Sequence, residues 1–172
     1  HLARLKYAKS TVARKLAALR SFFRFLMQEG VVEQNPAALA ATPKQDQRLP
    51  NYLYEQEVSA LIEAPDTATP LGQRDRVILE VLYATGVRVG ELVRMELPDV
   101  DLERREIRVV GKGNRERIVL LGERAAAVLR TYLAEGRSQL LREGSATDQA
   151  AVFLNTRGGR LSVRGVQQRL HK

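Results

Sequence analysis

The 172-residue sequence contains no cysteine and no tryptophan, and its two histidines, His1 and His171, stand one at each end of the chain. A chain without cysteine forms no disulfide and no thiolate metal site. Two histidines so far apart in sequence do not predict a histidine-rich zinc or di-iron centre, although carboxylates can still hold Mg²⁺. We therefore assign no metal-ligating residue.

Long apolar runs are also missing. No run approaches the roughly 20 residues that a membrane-spanning helix needs, and no secretory signal is visible. We therefore expect a cytoplasmic protein without a membrane partner. The chain begins with His rather than Met and ends on RLHK inside an apparent helix, so we interpret it as a trimmed piece of a longer protein.

Negative charge is scarce, since 20 acidic residues face 28 Lys and Arg, which gives a formal charge of +8 and a pI near 10.2. This excess suits a polyanionic partner, with nucleic acid first and an anionic membrane surface second. Basic composition alone is weak evidence, because many ribosomal and thermophile proteins share it. Apolar residues make up 44% of the chain, enough for a packed core.

The stretch 10–29 has the pattern of an amphipathic helix, with Ser10 or Thr11 as its N-cap and Gly30 as its end. Apolar residues recur on one face at helical spacing: Val12, Leu16, Leu19, Phe23 and Leu26. No acid occurs between Lys9 and Gln28, whereas an ordinary exposed face mixes charges of both signs. This favours phosphate contact by the start of the helix, at Lys9, Ser10, Thr11, Arg14 and Lys15, and a solvated polar face is the alternative.

The remaining pattern predicts a mainly α chain with a small antiparallel β-hairpin, an α+β fold. We expect a linker at 41–51 and then the following helices: about 55–64, 70–82, a short one ending near Met95, 123–135, and one from Ser162 onwards. The hairpin is predicted from Ile107 and Val109 alternating on one strand and Ile118 and Leu120 on the other, around the turn GKGN. AVFLN, at 151–155, is predicted to be a short strand.

Arg88 is a candidate phosphate ligand because it follows the Thr85-Gly86 break and precedes Glu91 by one helical turn. Glu91 can fix the guanidinium, whose planar donors match two phosphate oxygens. An ordinary structural Arg–Glu pair has the same local pattern. In the hairpin, Lys112 lies between two glycines at the turn, and Arg115 and Arg117, on the returning strand, are candidate DNA contacts. Such a lysine can neutralise phosphate or donate a proton to a leaving oxygen, and it also suits a plain solvent-exposed turn.

Arg164 lies in the first turn of the last predicted helix, after Ser162 as N-cap. The N-terminal residues of a helix in the major groove read bases, and Arg to guanine is the commonest specific contact. Arg164 is therefore our candidate base reader, with Gln167 and Gln168 as weaker ones, and a solvent-exposed helix arginine is the alternative.

Together these segments resemble the tyrosine recombinases, and among them the bacterial Xer type. The resemblance is carried by VLYATGVRVGELVRMELPDVDL and IRVVGKGNRERIVLLGE, and it extends back through STVARKLAALRSFFRFLMQEG and forward through VFLNTRGGRLSVRGVQQRL. It implies that residues 1–40 are the last part of a helical core DNA-binding domain, that 41–51 are a linker, and that 52–172 are the first part of a truncated catalytic domain.

The resemblance also implies a chemistry. Family members cut one strand of double-stranded DNA with a tyrosine, form a 3′-phosphotyrosyl link and free a 5′-hydroxyl. Two rounds of strand exchange pass through a Holliday junction, in a homo- or hetero-tetramer and without a cofactor. Arg88 matches the first catalytic arginine, Lys112 the lysine that protonates the leaving oxygen, and Arg164 an arginine that touches a base. Xer resemblance further implies a role in chromosome-dimer resolution.

The sequence departs from the family after its last helix, where a His-x-x-Arg motif, a second His or Trp and the nucleophilic tyrosine are expected. His171 lacks the arginine three places on and falls too early. None of the tyrosines matches the nucleophile: Tyr7, Tyr52, Tyr54, Tyr83 and Tyr132. Of these, Tyr83 and Tyr132 fit buried or partly buried positions. We therefore expect the chain to bind DNA without cleaving it.

Two other functions stay open at this stage. A phage or transposon integrase shares the fold, and a non-catalytic DNA-binding clamp would share it too, although pure binding does not require both Arg88 and Lys112. RNA binding is disfavoured because aromatic residues amount to only 5% and are not clustered on strands.

Overall fold

A computed structural model describes residues 7–44, 52–141 and 149–170. About 52% of the chain is helical, and one small three-stranded antiparallel sheet accompanies the helices. The predicted fold class, mainly α with a small antiparallel sheet, is confirmed. The chain divides into two compact units, His1–Tyr52 and Leu53–Lys172. Most of the predicted linker at 41–51 lies outside the described residues, and the domain limits inferred from sequence stay predictions.

Unit 1 contains one long helix, α1, Lys9–Gln28. The predicted N-cap at Ser10 or Thr11 is wrong, because the helix starts earlier: Ala8 is the cap residue and no side chain bonds there. The predicted end of the helix at Gly30 is correct. Gly30 takes a left-handed φ of 69°, which a residue with a side chain rarely adopts.

The segment after α1 is held by Arg20. Its guanidinium donates to the carbonyls of Ala37, Ala38 and Ala40 and to the Thr42 hydroxyl. Ala13 and Leu16 of α1 are buried in this unit. Of the predicted apolar face, Val12, Phe23 and Leu26 are half-buried and Leu19 is exposed. Elsewhere on the helix, Phe22, Phe25 and Met27 are exposed.

Unit 2 begins with α2, Glu55–Glu63, and α3, Pro70–Thr85. Local chemistry fixes both ends of α3. The Thr69 hydroxyl accepts from Gly72 N at 3.0 Å and Pro70 occupies the first turn, where its missing N–H costs nothing. Gly86 ends the helix with a φ of 62°. A four-residue helix, α4, Val89–Leu92, follows and turns the chain toward the sheet.

The sheet has the strand order β1-β2-β3, with β1 Val100–Asp101, β2 Glu106–Val110 and β3 Glu116–Leu120. A 3₁₀ turn, Leu97–Asp99, precedes it. The predicted hairpin is present, but the predicted inner face of β3 is wrong. Ile107 pairs with Val119, so Val119 faces the core with it, whereas Ile118 and Leu120 are 61% and 68% exposed. The inner face also receives Arg117, opposite Val109.

The helix predicted at 123–135 is interrupted. It forms α5, Glu123–Thr131, then a π-helical turn, Tyr132–Gly136, then α6, Arg137–Leu140. The strand predicted at 151–155 is not a strand: its ends make single bridges, Glu96 to Ala151 and Leu154 to Arg160. The last helix is α7, Val163–Leu170.

The core of unit 2 lies between α3, α5, α7 and the inner face of the sheet. Its most deeply buried apolar residues include Val81, Leu92, Ile107, Leu129 and Val152. Tyr132 is fully buried, as predicted, and its ring stacks on Phe153 with 6.2 Å between centroids. Tyr83 is 64% exposed, so the prediction that it is buried or partly buried is wrong.

Among the described residues, no helix combines the length and the apolar character needed to cross a bilayer. This holds for α1 as well, the longest helix, which carries basic residues along its length.

Candidate active site

Arg88 is positioned by the break between α3 and α4. Thr85 braces this break, because its hydroxyl donates to Val81 O at 2.6 Å and accepts from Val87 N at 3.3 Å. The left-handed Gly86 then reverses the chain, and Arg88 becomes the N-cap residue of α4. Its side chain is 77% exposed, so the guanidinium is open to a ligand.

Glu91 binds both the backbone and the side chain of Arg88. One carboxylate oxygen, Oε2, accepts from Arg88 N at 2.9 Å, which is half of a capping box, and Oε1 accepts from Arg88 Nη1 at 3.1 Å. The Glu91 side chain is only 2% exposed. Thr85 and Glu91 thus fix the backbone and the side chain of Arg88, and a supporting role of both residues in the site stays a prediction.

Arg117 supplies the second cation on Glu91. Its Nη1 donates to Oε1 at 2.9 Å and its Nη2 to Oε2 at 2.7 Å, a bidentate pair across 26 positions of sequence. This pair is the largest cause that lowers the pKa of Glu91 from 4.5 to about 2, and the bonds from Arg88 add to it against the effect of burial. The same pair raises the pKa of Arg117.

The guanidinium of Arg117 thus binds a carboxylate inside the unit. The sequence predicts a DNA contact for Arg117, as it does for Arg115. The signal that sequence reasoning missed is the strand register, which pairs Arg117 with Val109 and so turns it to the inner face of the sheet. A direct contact of Arg117 with DNA stays an untested prediction.

Lys112 lies at the exposed tip of the β2–β3 hairpin. The turn is closed by Gly111 N donating to Arg115 O at 2.8 Å, and Gly113 and Asn114 take left-handed φ values of 74° and 57°. Arg115 is exposed beside Lys112. At Gly111 an added Cβ would lie 3.3 Å from Glu91 Oε1, so the base of this turn packs on the carboxylate that holds Arg88.

Two arginines that the sequence did not single out also hold α4. Arg94 Nε donates to Gly90 O at 2.9 Å, and its Nη2 donates to Val110 O at 3.1 Å. Arg160 donates to the carbonyls of Val93 and Arg94, at the end of α4. No local pattern signals either arginine, because Arg94 binds backbone carbonyls and the side-chain partner of Arg160, Glu96, lies 64 positions away.

Arg164 is exposed in the first turn of α7, as predicted. Ser162 caps this helix, since its hydroxyl accepts from Gly165 N at 3.1 Å. Gln167 and Gln168 are exposed too, while Val166 is buried in the core. Because α7 packs against α4, the candidate base reader belongs to the same part of unit 2 as Arg88.

The candidate phosphate ligands of unit 1 lie in the first two turns of α1. Lys9, Ser10 and Arg14 are exposed, and Thr11 and Lys15 are half-buried. The Lys15 ammonium lies 3.7 Å from the centroid of the Tyr7 ring, a cation–π contact. The first turn contains no acid that would oppose an approaching phosphate.

Within residues 7–44, 52–141 and 149–170, no group of three or more His, Asp or Glu is arranged to hold a metal ion.

Known families and structures match both parts of the chain. Residues 51–172 match the model of the phage integrase family, and residues 1–30 match that of the phage integrase N-terminal SAM-like domain. The chain is 48% identical, over its whole length, to a protein named tyrosine recombinase XerC from Pelotomaculum thermopropionicum, and covers 56% of it. It is 41% identical to XerC of Bacillus subtilis, with 93% of this chain and 52% of the relative covered.

Solved structures agree. The XerA recombinase is 29% identical and superposes with a TM-score of 0.60, covering 97% of this chain and 54% of that one. The Tn1549 transposon integrase, solved with circular intermediate DNA, has a TM-score of 0.71 over 98% of this chain and 59% of its own at 17% identity, which shows the fold alone. The chain belongs to the phage integrase family of tyrosine recombinases and is of the Xer type. It spans about half the length of the curated relatives that it matches.

Proposed function

We propose that the protein containing this chain is a site-specific DNA recombinase that cuts and rejoins strands through a 3′-phosphotyrosine intermediate. The observation that carries the proposal is the cluster of Arg88, Glu91 and Arg117, with Gly111 packed on it. This cluster joins the start of α4, which carries Arg88, the match to the family's first catalytic arginine, to the hairpin that carries the match to its catalytic lysine. The identity to proteins named XerC supports the same function. The similarity to proteins named XerC favours chromosome-dimer resolution in the cytoplasm as the biological role.

Arg88 stabilises the scissile phosphate in this proposal. As a tyrosine oxygen attacks phosphorus, negative charge builds up on the two non-bridging oxygens. An exposed guanidinium whose backbone and Nη1 are already fixed by Glu91 meets that charge with little reorganisation. Loss of one such preorganised donor typically slows the chemical step by about 10²–10³-fold.

Lys112 acts as the general acid. The bond between phosphorus and the 5′ oxygen breaks as the bond from the tyrosine oxygen to phosphorus forms. The leaving 5′ oxygen takes a proton from the Lys112 ammonium and so becomes a free 5′-hydroxyl. In rejoining, the same group takes the proton back from the attacking hydroxyl. The exposed tip of a hairpin allows the ammonium to reach the backbone of a bound duplex.

Double-stranded DNA is the proposed partner, held by unit 1 through the start of α1 and by unit 2 through Arg115 and Arg164. The net charge of +8 supports binding to a polyanion. A λ integrase structure of similar fold is a tetramer on a Holliday junction, and we propose a tetramer here too, with one or two kinds of subunit. We propose that the 172 residues alone bind DNA without cleaving it, because no tyrosine matches the family's nucleophile.

The test uses a longer protein that contains this chain with its nucleophile and a nicked suicide substrate that traps the covalent adduct. The parent should accumulate tyrosyl–DNA product, and Arg88→Ala should reduce its rate by about 10²–10³-fold with DNA affinity nearly unchanged. Arg104→Ala, at an exposed turn of the same unit, is the control and should react at the parent rate. Adduct formation by Arg88→Ala at the parent rate would refute the assigned role.

A further inference from the structure

The β2–β3 hairpin is fastened to α4 at two points, one on each strand. On β3, Arg117 binds both oxygens of Glu91, at 2.9 and 2.7 Å. On β2, Arg94 of the α4 end donates to Val110 O at 3.1 Å while its Nε stays on Gly90 O. Val110 and Arg117 flank the turn that carries Lys112, so both ends of this turn are tied to the same short helix.

The first fastening is closely packed. Gly111, the residue before Lys112, packs on it: a Cβ there would lie 3.3 Å from Glu91 Oε1, a tight contact, and 3.5 Å from Arg117 Nη1, an ordinary van der Waals distance. The ion pair thus supports the backbone of the turn directly. Removal of the Arg117 guanidinium would leave an open space beneath Gly111 and release the returning strand from α4.

Glu91 shares its Oε1 between the two cations, since Arg88 Nη1 and Arg117 Nη1 both donate to it. The element that presents Arg88 and the element that presents Lys112 therefore meet at one buried carboxylate. The placement of the hairpin relative to α4 therefore depends on Arg117. None of the described contacts joins Arg117 to Lys112 itself.

We propose that Arg117 is a positioning residue that holds the Lys112 hairpin in register with Arg88, and that Arg94 is a second, weaker positioning residue with the same effect. The proposal rests on the function assigned above to Lys112. A displacement of the proton donor by about 1 Å can cost near 10²-fold in rate even when the chemical groups are intact. Neither arginine needs to touch DNA for this effect.

The test separates the contribution of proton donation to the rate of adduct formation from all other contributions to that rate. Two suicide substrates are compared in a longer recombinase that contains this chain, one with the natural 5′ oxygen and one with sulfur in its place at the scissile bond. A thiol has a pKa near 8.5, so a thiolate leaves without being protonated. Lys112→Ala should be slow on the oxygen substrate and restored to within about 3-fold of the parent on the sulfur substrate.

Arg117→Gln should show the same pattern as Lys112→Ala, a loss of rate on the oxygen substrate and a recovery on the sulfur substrate. We expect adduct formation on the oxygen substrate to fall by about 10–10²-fold and to recover on the sulfur substrate, with KM and DNA affinity close to the parent values. Arg117→Lys should recover part of the oxygen rate, because it restores one bond to Glu91. Arg94→Ala, at an exposed side chain, should lose about 3–10-fold on oxygen with the same recovery, and it covers the case in which Arg117→Gln does not fold.

Arg108→Gln is the matched control, because Arg108 lies on the same hairpin but on its outer face, paired with Asp99 at 2.7 Å and with Glu116. It removes a hairpin ion pair without touching α4, and both substrates should react at the parent rate. Thermal denaturation of each variant shows that it is folded.

The outcomes are distinct. Equal slowing of folded Arg117→Gln on both substrates, or a loss of DNA affinity with a shallower salt slope, would mean that Arg117 acts on the phosphate or on binding, and would overturn the proposal. Parent rates for Arg117→Gln and Arg94→Ala would overturn it as well. If Lys112→Ala itself fails to recover on sulfur, the function proposed for Lys112 falls, and a parent that forms no adduct refutes the recombinase assignment.

Discussion

The side chain of Arg88 is 77% exposed, while the side chain of Glu91, whose carboxylate binds the Arg88 guanidinium at 3.1 Å, is 2% exposed. The pair is asymmetric: the cation is available to a ligand, and the anion is not. A buried carboxylate is stable as an ion only when its oxygens are bonded, and Glu91 accepts four bonds from Arg88 and Arg117. The site is therefore built on a fixed anion that organises two cations.

Glu91 should make folding stability depend on acid pH. Its pKa in the folded protein is lowered from 4.5 to about 2, chiefly by Arg117. A lowered pKa means that its contribution to the unfolding free energy is fully present above pH 4.5 and is lost as the pH falls toward 2. Denaturant unfolding of the 172-residue chain between pH 7 and pH 2 measures this.

Glu91→Gln should lower the unfolding free energy at pH 7 by about 1–3 kcal/mol, because two donors lose a charged acceptor but can turn toward solvent. It should also flatten the decline below pH 4.5. Glu103→Gln, at an exposed turn, is the control and should change neither value. A parent-like acid decline in Glu91→Gln would show that the low pKa is not linked to folding.

Arg164 and Arg14 should separate base reading from phosphate binding. Both side chains are exposed, Arg164 in the first turn of α7 and Arg14 in the second turn of α1. If Arg164 contacts a guanine, Arg164→Ala should cost about 1–3 kcal/mol on the preferred site and little on other sequences. Arg14→Ala should weaken binding to all sequences alike and make the slope of log Kd against log salt shallower by roughly 0.9.

Fluorescence anisotropy with specific and scrambled duplexes, each over a salt series, gives both quantities. Arg157→Ala, at an exposed residue of the 155–160 turn, is the comparison for a generic loss of charge in unit 2. A uniform loss of affinity in Arg164→Ala would make Arg164 a phosphate ligand. A salt response that is flat for the parent chain would contradict the grip on the DNA backbone altogether.

The sequence could predict those parts of the site that depend on local chemistry. Thr85-Gly86 marked the end of α3, GKGN marked the turn, and Ser162 marked the start of α7. It could not predict which face of β3 is buried, because residues 118–121 are all apolar and allow either alternation. The pairing of Val119 with Ile107 across the hairpin decides it.

The same register explains the largest difference at the site. The sequence predicts a DNA contact for Arg117, yet the partner that this guanidinium binds in the structure, Glu91, lies 26 positions away. No local pattern signals such a pair. Likewise, the helix at 123–135 has an unbroken apolar stripe, but the π-helical turn at Tyr132–Gly136 interrupts it where Gly136 packs closely against the Gln73 side chain.

Tyr132 provides a last prediction, since it is a tyrosine of unit 2 that the structure places in the core. Its hydroxyl donates to Val152 O at 3.2 Å, and burial raises its pKa to about 12. Such a group is neither accessible to a phosphate nor easily ionised, so it serves stability and not nucleophilic attack. Tyr132→Phe should therefore lower the unfolding free energy by about 1–2 kcal/mol, because the carbonyl of Val152 loses a buried partner.

In a longer recombinase that contains this chain, Tyr132→Phe should still form the tyrosyl–DNA adduct at the parent rate at a temperature where it is folded. Tyr83→Phe, on an exposed ring of α3, is the matched control and should change stability by less than about 0.5 kcal/mol. Phe153→Ala, which removes the ring stacked on Tyr132, should cost about 3–5 kcal/mol. Loss of the adduct in folded Tyr132→Phe would mean that the core residue is the nucleophile, which its burial and hydrogen bond contradict.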